Sequence, residues 1–135
     1  ERNNQYADDI CSALQIINFL QDIEIDYANG RIYMPQDELA RFGVTEDSIA
    51  SRTVNDAWHS FMTFQINRTR RLLLDGAPLG RALPGRIGLE MRMIIAGGER
   101  ILNKIAAVRH DVFRRRPVLR PWDWPLMMLR TLSLK

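Results

Sequence analysis

Apolar residues recur at helical spacing along almost the whole chain, and strand-type alternation is missing. Ile10, Leu14, Ile17, Leu20 and Ile23 predict a first helix over residues 6–29. Asn29-Gly30 should stop it, because a residue able to take positive φ ends helices there. In RIYMP, Pro35 biases Met34 away from helix, so a short extended loop is expected. Pro35 then opens a short helix closed by Gly43, and Thr45 is placed to cap one further turn. A long helix is expected from a cap at Thr53 or Asn55 to Asp75, with Ala57, Phe61, Phe64, Ile66, Leu72 and Leu73 as its apolar face. The loop PLGRALPG leads to a second long helix over residues 84–108, with Ile87, Met91, Ile94, Ile95, Ile101 and Ile105 inward. A basic, Trp-rich tail over residues 114–135 ends in a short apolar helix. The fold class is all-α, a single helical piece.

One polar line crosses this pattern. Gln15, Asn18, Asp22 and Asp26 share one face of the first helix, while the other faces from Ile10 to Ile25 are almost wholly apolar, Gln21 and Glu24 excepted. A surface helix shows the reverse, so the expectation is a buried helix whose polar line faces an interior cavity. Buried carboxylates require a cation or a partner. Two aspartates one turn apart, about 6 Å along the axis, can aim their oxygens at one small volume. Hard cations such as Mg²⁺ take such ligands and complete their shell with water and substrate phosphates. The stretch therefore reads either as a metal–diphosphate half-site or as an exposed charge pair, and spacing alone leaves these even. No histidine flanks it, which disfavours zinc and di-iron sites.

Composition narrows the class further. A chain of 135 residues buries roughly two-thirds of its surface. At 46% hydrophobic and 26% charged it is globular rather than disordered. A net charge of +3, without a recognisable binding fold, gives no case for nucleic acid. No apolar run approaches the roughly 18 residues of a membrane span. The single Cys11 excludes an internal disulfide and fits a reducing, cytoplasmic compartment. His59 and His110 lack ligand partners at useful spacing and are expected on the solvent side. Arg92, inside an apolar helix, is expected to snorkel or to pair with Glu90 or Glu99. In the tail, Arg114, Arg115 and Arg116 precede Trp122, Trp124, Leu126, Met127 and Met128. Either the tail packs back on the bundle, or it meets the inner face of a membrane as a peripheral contact. The chain begins at Glu1 and enters a helical pattern at once, so it reads as part of a longer protein.

The stretch ALQIINFLQDIEIDYANGRIYMPQDELARFGV closely resembles the second aspartate-rich motif of the squalene/phytoene synthase family. That pattern runs Q-x-x-N-x-x-(R or Q)-D-x-x-x-D, then G-R-(I or V)-Y-x-P. The resemblance continues through GAPLGRALPGRIGLEMRMIIAGGERIL and DVFRRRPVLRPWDW. Within the family, Gln21 and the RRRP…WDW tail are most similar to bacterial hydroxysqualene synthases of hopanoid biosynthesis. The resemblance implies an isoprenoid-synthase-type helical bundle that uses Mg²⁺ to process prenyl diphosphates, here presqualene or farnesyl diphosphate. It implies Asp22 and Asp26 as metal ligands, Asn18 in support and Gln15 beside the cavity. Gln21 would line the substrate site, and Arg31 and Tyr33 would close over the diphosphate. Ala96-Gly97-Gly98 then marks either close helix packing or room for a prenyl chain. The family's first aspartate-rich motif is missing, and adjacent Asp8 and Asp9 point about 100° apart and do not replace it. The chain is thus expected to carry half an active site, to be inactive alone, and to expose apolar faces that favour a homo-oligomer. A non-catalytic helical interaction module is the rival from another class.

Overall fold

Glycine stops and side-chain caps divide the chain into short helices packed around two long ones. The computed structural model describes residues 1–134, and every regular element among them is helical. In order these are α1 (Arg2–Gln21), α2 (Ile23–Ala28), α3 (Gln36–Arg41), α4 (Glu46–Ala50), α5 (Asp56–Gly76), α6 (Leu79–Ala82) and α7 (Gly85–Ala107). A 3₁₀ turn (Pro121–Asp123) and α8 (Trp124–Ser133) follow.

The predicted stops hold, with one departure inside the first helix. Gly30 takes φ 75° and donates to the Tyr27 carbonyl, while Arg31 N–H reaches the Asp26 carbonyl at 2.8 Å. This is the paired bonding by which a left-handed residue satisfies the last carbonyls of a helix. Thr45 caps α4 and Asn55, rather than Thr53, caps α5 through the Trp58 N–H. The continuous helix expected over residues 6–29 is interrupted at Asp22, whose φ of −103° and ψ of 14° lie outside the helical well. The bonds Asp22 N–H to Asn18 carbonyl (3.0 Å) and Asp26 N–H to Asp22 carbonyl (2.7 Å) span the break. The four-residue spacing of the two aspartates therefore survives. The loop expected after Pro78 contains α6, which lies so close to α7 that a Cβ on Gly88 would stand 2.8 Å from the Gly80 carbonyl oxygen.

α1 packs along α5 and α7, and α7 carries α6 on one side and α8 on the other. Trp58, Phe61, Met62 and Leu73 of α5 join Leu20 of α1 and Leu102 and Ile105 of α7 in the main core. Phe61 and Met62 are thus core. On α7, Ile95, Ile101 and Ile105 point inward as expected, but Ile87 (59% exposed) and Ile94 (44%) do not. Gly98 sits where a Cβ would touch Ile17 and Leu73 at 3.1 Å, so it serves close packing.

The expectations for His59 and His110 need correction, as does the ion pair offered as one alternative for Arg92. His59 and His110 are not independent solvent-side residues: their Nδ1 atoms lie 2.9 Å apart, one N–H donating to the other nitrogen. α7 ends through two non-glycine residues at positive φ, Arg109 (55°) and His110 (64°). That turn aims the His110 carbonyl at the Trp58 indole N–H (2.8 Å) and its ring at α5. Arg92 pairs with neither Glu90 nor Glu99, because Arg86 takes the first and Arg130 the second. It lies instead across Gly80, where a Cβ would stand 2.5 Å from the Arg92 Cγ, and its Nε is buried without a partner.

Burial, and then the neighbouring His59, push His110 below the usual histidine range. The unfolded chain therefore takes up a proton at His110 more readily than the folded one. Stability is full above histidine's ordinary pKa of about 6.5 and declines as pH falls from there toward the depressed value. Wild-type Tm is expected to fall as pH drops from about 7.5 to 5.5, with a shallower drop in His110→Asn, since Asn also tolerates positive φ. An equal slope in both proteins would contradict this origin.

Candidate metal and diphosphate site

The end of α1 supplies most of the polar chemistry. Asp22 is half-buried and accepts from Arg116 Nε at 2.8 Å, a contact between residues 94 apart in sequence. Its neighbour Gln21 donates Nε2–H to the Pro117 carbonyl at 2.7 Å. The Arg114–Arg116 run thus returns to the bundle and straps the aspartate turn, and Lys104 fixes the strap again through the Val118 carbonyl at 2.8 Å. Arg116 and this strap are site features that the residue pattern missed. No local spacing could reveal a contact that only the return of the tail creates.

Asp26 stands one turn further on. Its carboxyl is raised above the ordinary range, first by burial and then by the charge of Asp22, with Arg31 opposing. Arg31 is held beside it by the helix stop described above, and its Nη1 donates to the Tyr33 hydroxyl at 3.3 Å. Tyr33 stacks on Phe19 with ring centroids 4.9 Å apart and planes 12° from parallel. Arg31 and Tyr33 therefore form a small polar cluster at the open end of α2.

An apolar cavity of about 500 Å³ lies between α1 and α7, with the strap and α8 closing one side. Leu14, Ile17, Asn18 and Gln21 line it from α1, following the i, i+3, i+4, i+7 row. Gln15 lies off that row, about 100° round the helix, and is exposed rather than part of the lining. The α1 polar line is therefore not buried throughout: Gln15 and Asn18 are exposed, and the helix is apolar chiefly on its Ile10, Ala13, Ile17 and Leu20 side. From α7 come Met93, Ile94, Gly97 and Gly98, and from the tail Leu119, Trp124 and Met127. Gly97 borders the space directly, since a Cβ there would meet Met127 at 3.3 Å and Leu119 at 3.5 Å.

Among the described residues no three His, Cys, Asp or Glu side chains gather into a metal cage. The donor set is two carboxylates whose mutual repulsion already raises one of them. That set fits a hard divalent cation such as Mg²⁺, which takes few protein ligands and completes its shell with water and phosphate oxygens. It does not fit a structural zinc site. Asp22 and Asp26 would hold such an ion, and Asn18 and Arg31 lie on either side of them.

Comparison with known proteins identifies the family and the fold. The family model for squalene/phytoene synthase matches residues 1–123. The chain is 32% identical over 126 residues to a 15-cis-phytoene synthase of Synechococcus elongatus, covering 90% of this chain and 41% of that protein. It is 44% identical over 104 residues to phytoene synthase 1, chloroplastic, of Solanum lycopersicum, covering 77% and 25% respectively. The solved structure of squalene synthase HpnC from Alicyclobacillus acidocaldarius superposes with a TM-score of 0.78 at 33% identity, over 82% of this chain and 42% of that one. The chain thus spans about two-fifths of the first of these relatives and of the solved structure.

Proposed function

Because the chain belongs to the squalene/phytoene synthase family, we propose that the full-length protein ionises a prenyl diphosphate at Asp22 and Asp26. The observation that carries this reading is the placement of the aspartate turn directly after Asn18 and Gln21, which line an apolar cavity of about 500 Å³. Charge belongs at one end of such a substrate and hydrocarbon at the other.

The chain's own residues have separate tasks. Asp22 and Asp26 would hold a divalent ion at the diphosphate end, and Arg31 and Tyr33 would close over it. Bound Mg²⁺ supplies Lewis-acid neutralisation of the charge that grows on the leaving diphosphate. Leu14, Ile17, Met93 and Met127 surround the carbon chain and keep bulk water from the carbocation. Arg116, whose Nε lies 2.8 Å from Asp22 Oδ1, would be available to the released anion were a cation to take that carboxylate.

For the substrate, Gln21 favours presqualene diphosphate. A head-to-head condensation must hold two diphosphates, whereas presqualene diphosphate carries one. Gln21 is neutral and its amide is spent on the Pro117 carbonyl, so it offers no charge to a second diphosphate. The C–O bond breaks with its electron pair leaving on diphosphate, a C–C bond of the cyclopropane opens to give an open-chain cation, and one water adds to that cation. That water's proton passes to the released diphosphate or to solvent, giving hydroxysqualene. Phytoene-type or presqualene diphosphate synthesis is the second reading, and the Synechococcus and Solanum relatives, both phytoene synthases, favour the first of these.

Full-length protein incubated with Mg²⁺ and, separately, presqualene, farnesyl and geranylgeranyl diphosphates tests the choice by product mass. Hydroxysqualene from presqualene diphosphate is expected. Phytoene from geranylgeranyl diphosphate, with presqualene diphosphate untouched, would overturn the Gln21 argument and leave the metal site standing.

A further inference from the structure

A side-chain amide donates on one side and accepts on the other, so a partner fixed on one side decides what the other offers. Gln21 meets the Pro117 carbonyl at 2.7 Å, and a carbonyl only accepts, so the amide nitrogen must stand there. Oε1 therefore lies on the opposite side of the amide. It has no hydrogen-bond partner among the described residues, although Gln21 is half-buried and lines the cavity. The strap thus leaves one unspent acceptor, of fixed orientation, on a cavity residue.

Little else in the lining can do the same. Leu14, Ile17, Ile94 and Ile101 carry no acceptor, and the Trp124 indole N–H only donates. Asn18 holds the other side-chain amide, one turn back on the same row of α1, but it is exposed and no partner sets its orientation among the described residues. The difference between donor and acceptor matters for a water that must attack a cation. A protein donor occupies a lone pair of that water. A protein acceptor takes one of its protons and leaves the lone pairs free.

We propose, resting on the presqualene diphosphate reading above, that Gln21 Oε1 holds the water that captures the carbocation. The water gives one O–H to Oε1 and the other to Asn18 Oδ1; residues three apart on a helix have Cβ atoms about 5–6 Å apart, a span that one water bridges. After the bond to diphosphate has broken and the cyclopropane has opened, a lone pair of this water forms the new C–O bond. The proton of the resulting oxonium passes to the released diphosphate. An amide is too weak a base to take it, so Gln21 positions the water and exchanges no proton. Water delivered from one fixed point reaches one face of the cation, and the alcohol forms as a single enantiomer.

Two substitutions in the full-length protein separate this role from the tie between Gln21 and the strap. Gln21→Met keeps the length of the side chain and loses both the acceptor and the tie. Gln21→Glu keeps an acceptor oxygen and loses only the N–H that holds Pro117. Each protein is given Mg²⁺ and presqualene diphosphate, and the fraction of product that is alcohol is read, a ratio independent of how fast diphosphate leaves. In Gln21→Met that fraction should fall at least about tenfold, replaced by a hydrocarbon formed when the cation loses a proton to diphosphate, and the remaining alcohol should be racemic. Gln21→Glu should still give mostly alcohol. An unchanged fraction in Gln21→Met, or equal losses in Met and Glu, overturns the role of Oε1 and leaves the substrate reading in place. Failure of the wild type to release diphosphate overturns that reading and this role with it. Crystals of the wild type with Mg²⁺ and a non-ionisable thio analogue of presqualene diphosphate should show a water about 2.8 Å from Oε1; an Oε1 without one overturns the proposal with no turnover involved.

Discussion

Asp22→Asn and Asp26→Asn, introduced singly into the full-length protein, should each slow diphosphate release at least about a hundredfold. Asn keeps the size of the side chain and removes its charge, so the loss reports electrostatics rather than packing. The two positions differ in a way that gives each variant its own signature. Asp26 is the carboxyl raised by burial and by Asp22, so Asp22→Asn removes one of its two causes and lowers it toward the ordinary range. Asp22→Asn also releases Arg116, whose Nε holds Oδ1 at 2.8 Å, and so loosens the strap. Asp26→Asn leaves that contact in place. Both variants should need much more Mg²⁺ for half-maximal activity, and only Asp22→Asn should also increase protease access to residues 114–120. Near-wild-type release in either variant contradicts the assignment.

Asp123→Ala should lower Tm by more than about 10 °C, the scale on which breaking a buried ionic cluster acts in a domain this size. Asp123 is fully buried, and three donors converge on it. Arg100 Nε reaches Oδ1 at 2.8 Å, while Lys104 Nζ (2.5 Å) and the Arg120 backbone N–H (2.7 Å) reach Oδ2. Burial alone would raise this carboxyl, but hydrogen bonds from Lys104, Arg120 and Arg100 outweigh it and hold Asp123 well below the carboxylate range. The cluster ties the 3₁₀ turn to α7 and so seats α8, which brings Trp124 and Met127 to the cavity. Asp123→Asn should fall between wild type and Ala, since its amide oxygen still accepts from Arg120. A Tm for Asp123→Ala within about 2 °C of wild type would remove this cluster from the account of how α8 is held.

The elements were legible because their signals are local. Gly30 and Gly43 take positive φ where the apolar pattern stops, and Asn55 caps where polar residues precede it. The α5 face was read less well, for a physical reason. Its buried row is Trp58, Phe61, Met62, Gln65 and Thr69, and the last two disguise it as surface. Gln65 is buried because it bonds Glu38, and Thr69 because its hydroxyl donates to the Gln65 carbonyl at 2.6 Å. Ile94 was read as core, yet it lines the cavity, and helical period does not separate the two. The aspartate pair was visible as spacing and became specific only through the motif around it. Arg116 on Asp22 and His59 on His110 join residues 94 and 51 positions apart, distances at which no pattern in one sequence registers.

The central claim is that Asp22 and Asp26 grip a diphosphate through a divalent ion at the edge of the α1–α7 cavity. Anomalous diffraction from crystals of the full-length protein soaked with Mn²⁺ and inorganic pyrophosphate tests it most directly. The account predicts manganese about 2.1 Å from carboxylate oxygens of both aspartates, with Arg116 turned from Asp22 toward the pyrophosphate. Manganese at other carboxylates, with Arg116 still seated on Asp22, would contradict it.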